Sequence, residues 1–288
     1  MSAITAAAGI TLDLNGPVPQ PYPHGILSIP GVDRSGDEGR EPRWLHGVHV
    51  DGALQALPAF WDPCSAGTFR EKDEGDARPM PRFDAFGMYI AHTCSTFGMG
   101  EWEAFKQKAR DVLDATAQWA VEKALARGVT LSTNVNPFFG DANVNVLGGG
   151  AVIAQTGLNW LEKAIGDSGR AGLIHAPPQV AVNWDLRLRN GVMVTMAGTT
   201  VVIGGGYSDA TANGASPASG QSYAFATGPV EVRVSDVSFS EELNGTLETA
   251  TNDVTYRAEK FALATWEGLP QANPDILQAA AVLVDWTP

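Results

Sequence analysis

Cysteine is almost missing from this chain: Cys64 and Cys94 are the only two in 288 residues. Two thiols make no disulfide framework, and no C-x-x-C spacing is present for a redox pair or a zinc site. Reduced thiols are the expectation. Basic residues are scarce too, 19 Lys and Arg against 32 Asp and Glu, for a net charge of −13. A protein that grips nucleic acid by its phosphates needs a basic face, which this composition cannot easily supply. An acidic wall could still enclose nucleic acid without holding it. No uninterrupted apolar run approaches the ~18 residues of a membrane span, so no membrane partner is expected. The start, from Met1 to Gly9, has no basic stretch ahead of its apolar residues and makes a poor signal peptide. Catalytic signatures are lacking as well. There is no G-x-S-x-G elbow, no H-E-x-x-H, no G-x-x-x-x-G-K-S/T and no G-x-G-x-x-G within a βαβ unit.

What remains is enough for a large core. Hydrophobic residues make up 44% of the chain and charged residues 18%, which excludes an acidic disordered tail and a fibrous repeat. Glycine (32) and proline (18) are over-represented, so many turns and long connections are expected. The acid is uneven: residues 1–100 carry a net −5, residues 101–228 only −1, and residues 229–288 −7.

The first 43 residues do not resemble the start of a compact unit. Prolines 17, 19, 21 and 23 favour extended backbone. The apolar islands Ile10, Leu12 and Leu14, then Ile26, Leu27 and Ile29, suggest an arm that lies along something, either its own domain or a neighbouring copy. Trp44–Phe60 alternates weakly and predicts strand. After the charged stretch Phe69–Asp76, hydrophobicity returns at Phe83–Ile90, and two apolar runs around a polar tip predict a protruding hairpin.

The strongest element is Glu101–Arg127. Trp102, Phe105, Ala109, Val112, Thr116, Trp119, Ala120 and Ala124 recur at three- and four-residue steps and predict one buried helical face. Gly128 supplies the stop. At ~1.5 Å per residue such a helix is about 40 Å long and would act as a spine. A second helix is predicted over Val152–Ile165, with Ile153, Leu158, Leu161 and Ile165 inward. From Gly172 the pattern turns to β, with strands predicted at Leu173–Ala176, Val180–Trp184, Val192–Thr195, Thr199–Ile203 and Val230–Val234. Ser208–Ser222 reads as an exposed flexible loop. Val254–Trp266 reads as helix or strand, and Ala279–Val284 closes the chain.

Candidate chemistry is thin. On a strand His49 and Asp51 share a face while His46 points away, so three convergent metal ligands are lacking. His175 has no evident nucleophile beside it, and a structural histidine is expected. Gly148-Gly149-Gly150 and Gly204-Gly205-Gly206 invite a phosphate-loop reading, but neither fits a known spacing, and turn glycines are the expectation. No cofactor and no metal is expected.

The order of arm, hairpin, long helix, β-rich middle and C-terminal return resembles the major capsid protein of tailed phages, the Hong Kong 97-type α+β fold. Detailed likeness to capsid proteins of actinobacterial phages lies in Gly172–Pro177, Gly198–Tyr207 and Ala226–Val230. It continues through Thr251–Trp266, where the family's Ala-Glu-Arg triplet reads Ala258-Glu259-Lys260. The resemblance implies an extended N-arm at 1–43, a strand and E-loop at 44–82, and a peripheral domain at 83–148 with the spine helix at 101–127. It further implies an axial domain at 149–228, with 229–288 returning through the peripheral domain to the final strand.

It implies a non-enzymatic shell protein, assembled in the host bacterial cytoplasm and ending in the virion. Its partners would be copies of itself in hexamers and pentamers, with portal, scaffold and decoration proteins as further partners, around DNA that is not bound by sequence. Ile10, Leu12, Ile26, Ile29, Phe69, Arg70 and Glu71 would meet neighbouring subunits. No long charged helical segment precedes the arm, so removal of a scaffolding segment is not expected. Some family members join subunits by a Lys–Asn isopeptide bond promoted by a glutamate. Lys72, the only lysine before Lys106, would be the donor and Asn244 or Asn252 the acceptor; no motif supports the bond, and a solvated lysine is the expectation. Two other readings stay open: an encapsulin-type compartment of the same fold, and an unrelated β-rich hydrolase using His175 as base.

Overall fold

Where alternation, helical periodicity and turn residues agree, the chain adopts the element they specify. The computed structural model describes residues 17–35, 43–50, 81–94, 99–129, 135–241, 254–269 and 277–287. In chain order the elements are β1 (Val48–His49), β2 (Arg82–Phe83), β3 (Phe86–Cys94), α1 (Met99–Arg127), β4 (Asn145–Ile153) and α2 (Ala154–Asp167). They continue with β5 (Leu173–Ala176), α3 (Pro178–Ala181), β6 (Arg187–Arg189), β7 (Val192–Val194), β8 (Thr200–Ile203) and β9 (Gln221–Thr227). Last come β10 (Val230–Val234), β11 (Ser238–Glu241), β12 (Val254–Trp266) and β13 (Ala280–Asp285). Short 3-10 turns occupy Ile26–Ser28, Arg43–His46 and Gly205–Tyr207.

α1 is the long helix expected, but its buried stripe is different. Phe105, Ala109, Leu113, Ala117, Val121 and Leu125 are buried at four-residue steps. Four residues turn 400°, so this stripe slips ~40° around the axis at each step. The N-terminal half therefore faces Ala258 of β12, with Met88, Ile90 and Phe239 around it. The C-terminal half turns into the main core through Val121, Ala124, Leu125 and Ala126. Val112 (40% exposed) and Trp119 (48%), predicted inward, face out, as does Thr116. The helix stops at Gly128, whose φ of +73° few other residues adopt and whose N–H still reaches Ala124 O.

Two sheets pack around the helices. In the first, the long β12 pairs antiparallel with β3 on one side and with β10 and β11 on the other. Val254–Trp266, left open between helix and strand by its sequence, is thus a strand. The second sheet has seven strands in the order β4-β13-β9-β5-β8-β7-β6, antiparallel except for β13 with β4 and β5 with β8. α2 covers it with Leu158, Leu161 and Ile165, which share a core with Ala224, Ala226, Val282 and Val284. β1 and β2 pair antiparallel, Val48 with Phe83 and His49 with Arg82, so the chain leaves for residue 51 and returns from residue 80 at neighbouring positions.

Several local expectations are corrected. Trp44–His46 lies in a 3-10 turn, and only Val48–His49 of that run is strand within the described residues. Ile153 is the exposed last residue of β4, and α2 begins after it. The run after Pro177 is a helical turn, because Pro178 at its first position presets the helical φ; Trp184 Nε1–H then donates to Ala154 O at 2.8 Å. The stretch Ser208–Ser222 is not wholly exposed: Ala210 and Ala212 are buried in the main core. β9 follows as a central strand buried on both faces, and it shows no alternation because neither face meets water.

Residues 26–34 lie on their own chain. Asp33 bridges to Val232 on the edge of β10, and Val232 N–H and Arg34 N–H make backbone hydrogen bonds across that junction. Ile26, Ile29 and Val32 enter the main core.

Candidate functional site

The most concentrated buried polar chemistry lies where α1 crosses the turn after β8. Glu122 is 1% exposed on a stretch of helix whose other inward residues are apolar apart from Gln118. Its Oε1 accepts from Ile26 N–H and its Oε2 from Gly206 N–H, each at 3.2 Å. One turn earlier, Gln118 Nε2 donates to Tyr22 O at 2.8 Å. The glycines here are demanded by space. A Cβ on Gly204 would sit 2.0 Å from Glu122 Oε2, one on Gly206 2.5 Å from Glu122 Cβ, and one on Gly25 2.6 Å from Glu122 Oε1. Burial without a counter-cation raises the Glu122 carboxyl to about 7, against the partial opposition of the two N–H donors.

A second chain of hydrogen bonds starts beside it. The Thr227 hydroxyl donates to Gly228 O at 2.9 Å. His175 Nε2–H therefore donates to Thr227 Oγ1 at 3.0 Å, and Nδ1 accepts from the Tyr207 hydroxyl at 3.1 Å. His175 is fully buried against the Phe139 ring, centroids 4.6 Å apart. Burial holds its imidazole down to about 3 and pushes the Tyr207 phenol up, with Glu122 adding to the latter. A neutral imidazole with both nitrogens engaged, and with no exposed face, has no reach to a substrate. The structural role expected for His175 holds, and the base of a hydrolase is not here.

The remaining sequence candidates separate clearly. His49 pairs with Arg82 in the β1–β2 ladder, and among the described residues no group of three His, Cys, Asp or Glu side chains comes together to hold a metal. Also among them, no helix is long and apolar enough to cross a membrane. Ile26 and Ile29, expected against neighbouring subunits, are packed in their own chain's core because β10 and α1 offer them a nearer apolar home. Ile10, Leu12, Phe69, Arg70, Glu71, Lys72, Asn244 and Asn252 lie outside the described residues.

Lys260 of the closing triplet reaches across to Asp114 and ties β12 to α1. An open groove of about 300 Å³ between β4 and α2 is lined by Leu147, Trp160, Lys163 and Asp167, but Lys163 and Asp167 satisfy each other. Gly204–Gly206, read as turn glycines, do form a turn, and it also seats a carboxylate. Glu122 was missed. The available signal was a carboxylate at Glu122, four residues beyond Gln118, on a helix face that also presents Val121 and Leu125.

No protein-family model matches the chain, and no curated protein matches it. Among solved structures it is similar to a chain of Mycobacterium phage Cain at 13% identity and TM-score 0.53, covering 99% of this chain and 97% of that one. It is also similar to the capsid of Ralstonia phage GP4 (13% identity, TM-score 0.47, 100% and 99% covered). A third similarity is to the SrpI encapsulin of Synechococcus elongatus (13%, TM-score 0.43, 72% and 75%). The fold is the Hong Kong 97-type fold of tailed-phage capsid proteins.

Proposed function

We propose that the chain is the major capsid protein of a tailed phage, and that its copies form the pentamers and hexamers of an icosahedral shell around double-stranded DNA. One observation carries this reading: the fold similarity to the Mycobacterium phage Cain chain covers 99% of this chain and 97% of that one.

The surface supports it. Tyr89, Ile153, Val182, Leu188 and Met196 are exposed. These apolar side chains are, on this reading, available for contact with neighbouring subunits. The net charge of −13 keeps an inner wall from adhering to packaged DNA. On this reading residues 1–43 are the N-arm and 44–82 the strand and E-loop. α1 with the sheet around β12 is the peripheral domain, and the seven-stranded sheet with α2 is the axial domain. Portal, scaffold and decoration proteins would be further partners, in the virion and in the bacterial cytoplasm where it forms.

Expression of the full chain, followed by size-exclusion chromatography and negative-stain imaging, tests the proposal. Rings or closed particles are expected. A well-behaved monomer at high concentration would overturn it, and particles that hold a cargo enzyme instead of DNA when isolated from their native source would favour the encapsulin reading.

A further inference from the structure

Three separate stretches of chain meet at the Glu122 carboxyl: α1, the N-terminal segment through Ile26, and the seven-stranded sheet through the turn after β8. We propose that Glu122, seated in the Gly204–Gly206 turn, is a proton-operated latch that fastens the N-terminal segment and the seven-stranded sheet to α1, tight with the carboxyl protonated and loosened when it ionises.

The seat closes tightly round the Glu122 side chain, which reaches it with 1% of its surface exposed. Two backbone N–H groups point into it from opposite sides, and glycines at 25, 204 and 206 leave room for the carboxyl and nothing larger. Yet the seat offers no cation. The ionisable groups around it are Tyr207 from the turn, His24 from the N-terminal segment, and Lys123 from α1 itself. The Tyr207 hydroxyl is turned to His175. His24 gives its backbone carbonyl to Ile203 N–H. The Lys123 ammonium lies 4.7 Å over the Trp119 ring. Among the described residues no lysine or arginine makes an ion pair with Glu122. A charge formed here is stabilised only by two N–H dipoles, whereas a charge formed after the joint opens is hydrated.

Ionisation therefore favours opening, and burial has already moved the carboxyl to about 7, where ordinary pH changes reach it. Both contacts that Glu122 holds are to short 3-10 turns, Ile26–Ser28 and Gly205–Tyr207. The Gln118–Tyr22 bond does not titrate and stays as a tether.

The latch does not depend on the shell proposal. It is read within one chain, so its failure would leave that proposal standing, and the reverse is also true. The test is amide hydrogen exchange of the full-length chain between pH 5 and 8, with rates corrected for the intrinsic chemistry. Peptides covering residues 22–28 and 203–208 are expected to open more as pH rises. The increase should reach up to about tenfold per pH unit between roughly 5 and 7 and level off above. Peptides from β9 should not follow, and Glu122→Gln should flatten the profile. A flat wild-type profile, or an unchanged slope in Glu122→Gln, overturns the latch. If that variant does not fold, the carbon-13 resonance of the Glu122 carboxyl decides: a midpoint near 7 supports the proposal and one near 4.5 overturns it.

Discussion

Glu122 and His175 are pushed in opposite directions by the same cause. Desolvation penalises whichever form is charged, so the carboxyl rises from 4.5 to about 7 and the imidazole falls from 6.5 to about 3. For Glu122 the folded state binds the proton more tightly, so its stabilisation is complete below pH 4.5 and is lost as pH rises to about 7. For His175 the unfolded state binds the proton more tightly, so stability is lost as pH falls from 6.5 towards 3. Each slope is about 1.4 kcal/mol per pH unit, and between 4.5 and 6.5 they cancel. Urea unfolding across that window should show Glu122→Gln gaining stability with rising pH and His175→Phe losing it. Parallel profiles for wild type and both variants would refute the assignment. His175→Phe should also cost about 2–4 kcal/mol overall, since it leaves the Tyr207 hydroxyl and Thr227 Oγ1 without their partner.

At the scale of the element, α1 carries two stripes and only one of them holds the monomer together. Leu113 is 3% exposed between α1 and β12, and Val112 beside it is 40% exposed. Leu113→Ala should cost about 2–4 kcal/mol in urea unfolding, and Val112→Ala under about 0.5 kcal/mol. Equal costs would mean that the buried stripe is wrongly assigned. The helix was legible in its length, its ends and its stop at Gly128. The face was not, because Phe105, Ala109 and Ala124 fit both stripes and only β12 and the glycine turn choose between them. The same turn supplies another test. A Cβ on Gly206 would lie 2.6 Å from both Lys123 N and Trp119 O. That is backbone, which cannot rotate away, so Gly206→Ala should lower stability by about 1–3 kcal/mol, measurable as a drop in Tm. Gly149→Ala, with nothing within 4 Å of its Cβ but a φ of +68°, isolates the backbone cost alone.

For the whole molecule, the shell proposal is tested on the exposed apolar side chains. Leu188 stands on β6, the edge of the seven-stranded sheet, between exposed Arg187 and Arg189. The turn Asn190-Gly191 that closes this hairpin takes positive φ at both residues, as a two-residue hairpin loop requires. If the shell proposal holds, Leu188→Asp should leave the circular dichroism spectrum unchanged and the stability within about 0.5 kcal/mol of wild type while reducing particle yield severalfold by size-exclusion chromatography. Unchanged particles would remove this edge from the interface. Ile26, Ile29 and Val32 of the N-terminal segment are already packed in the main core of their own chain.

The sequence by itself determined the elements whose signal is local. These are the long helix between Met99 and Arg127, the strands β5, β7, β8 and β10, and the closing residues of α2. Those follow from periodicity, branched residues and stops that act within a few positions of one another. Only the tertiary structure decided which face of α1 is buried, that β9 is an interior strand despite showing no alternation, and that residues 22–28 close onto Glu122 across 96 positions of chain. Each of these depends on what lies opposite in space, and burial of a carboxyl or of both faces of a strand leaves no periodic trace along the chain.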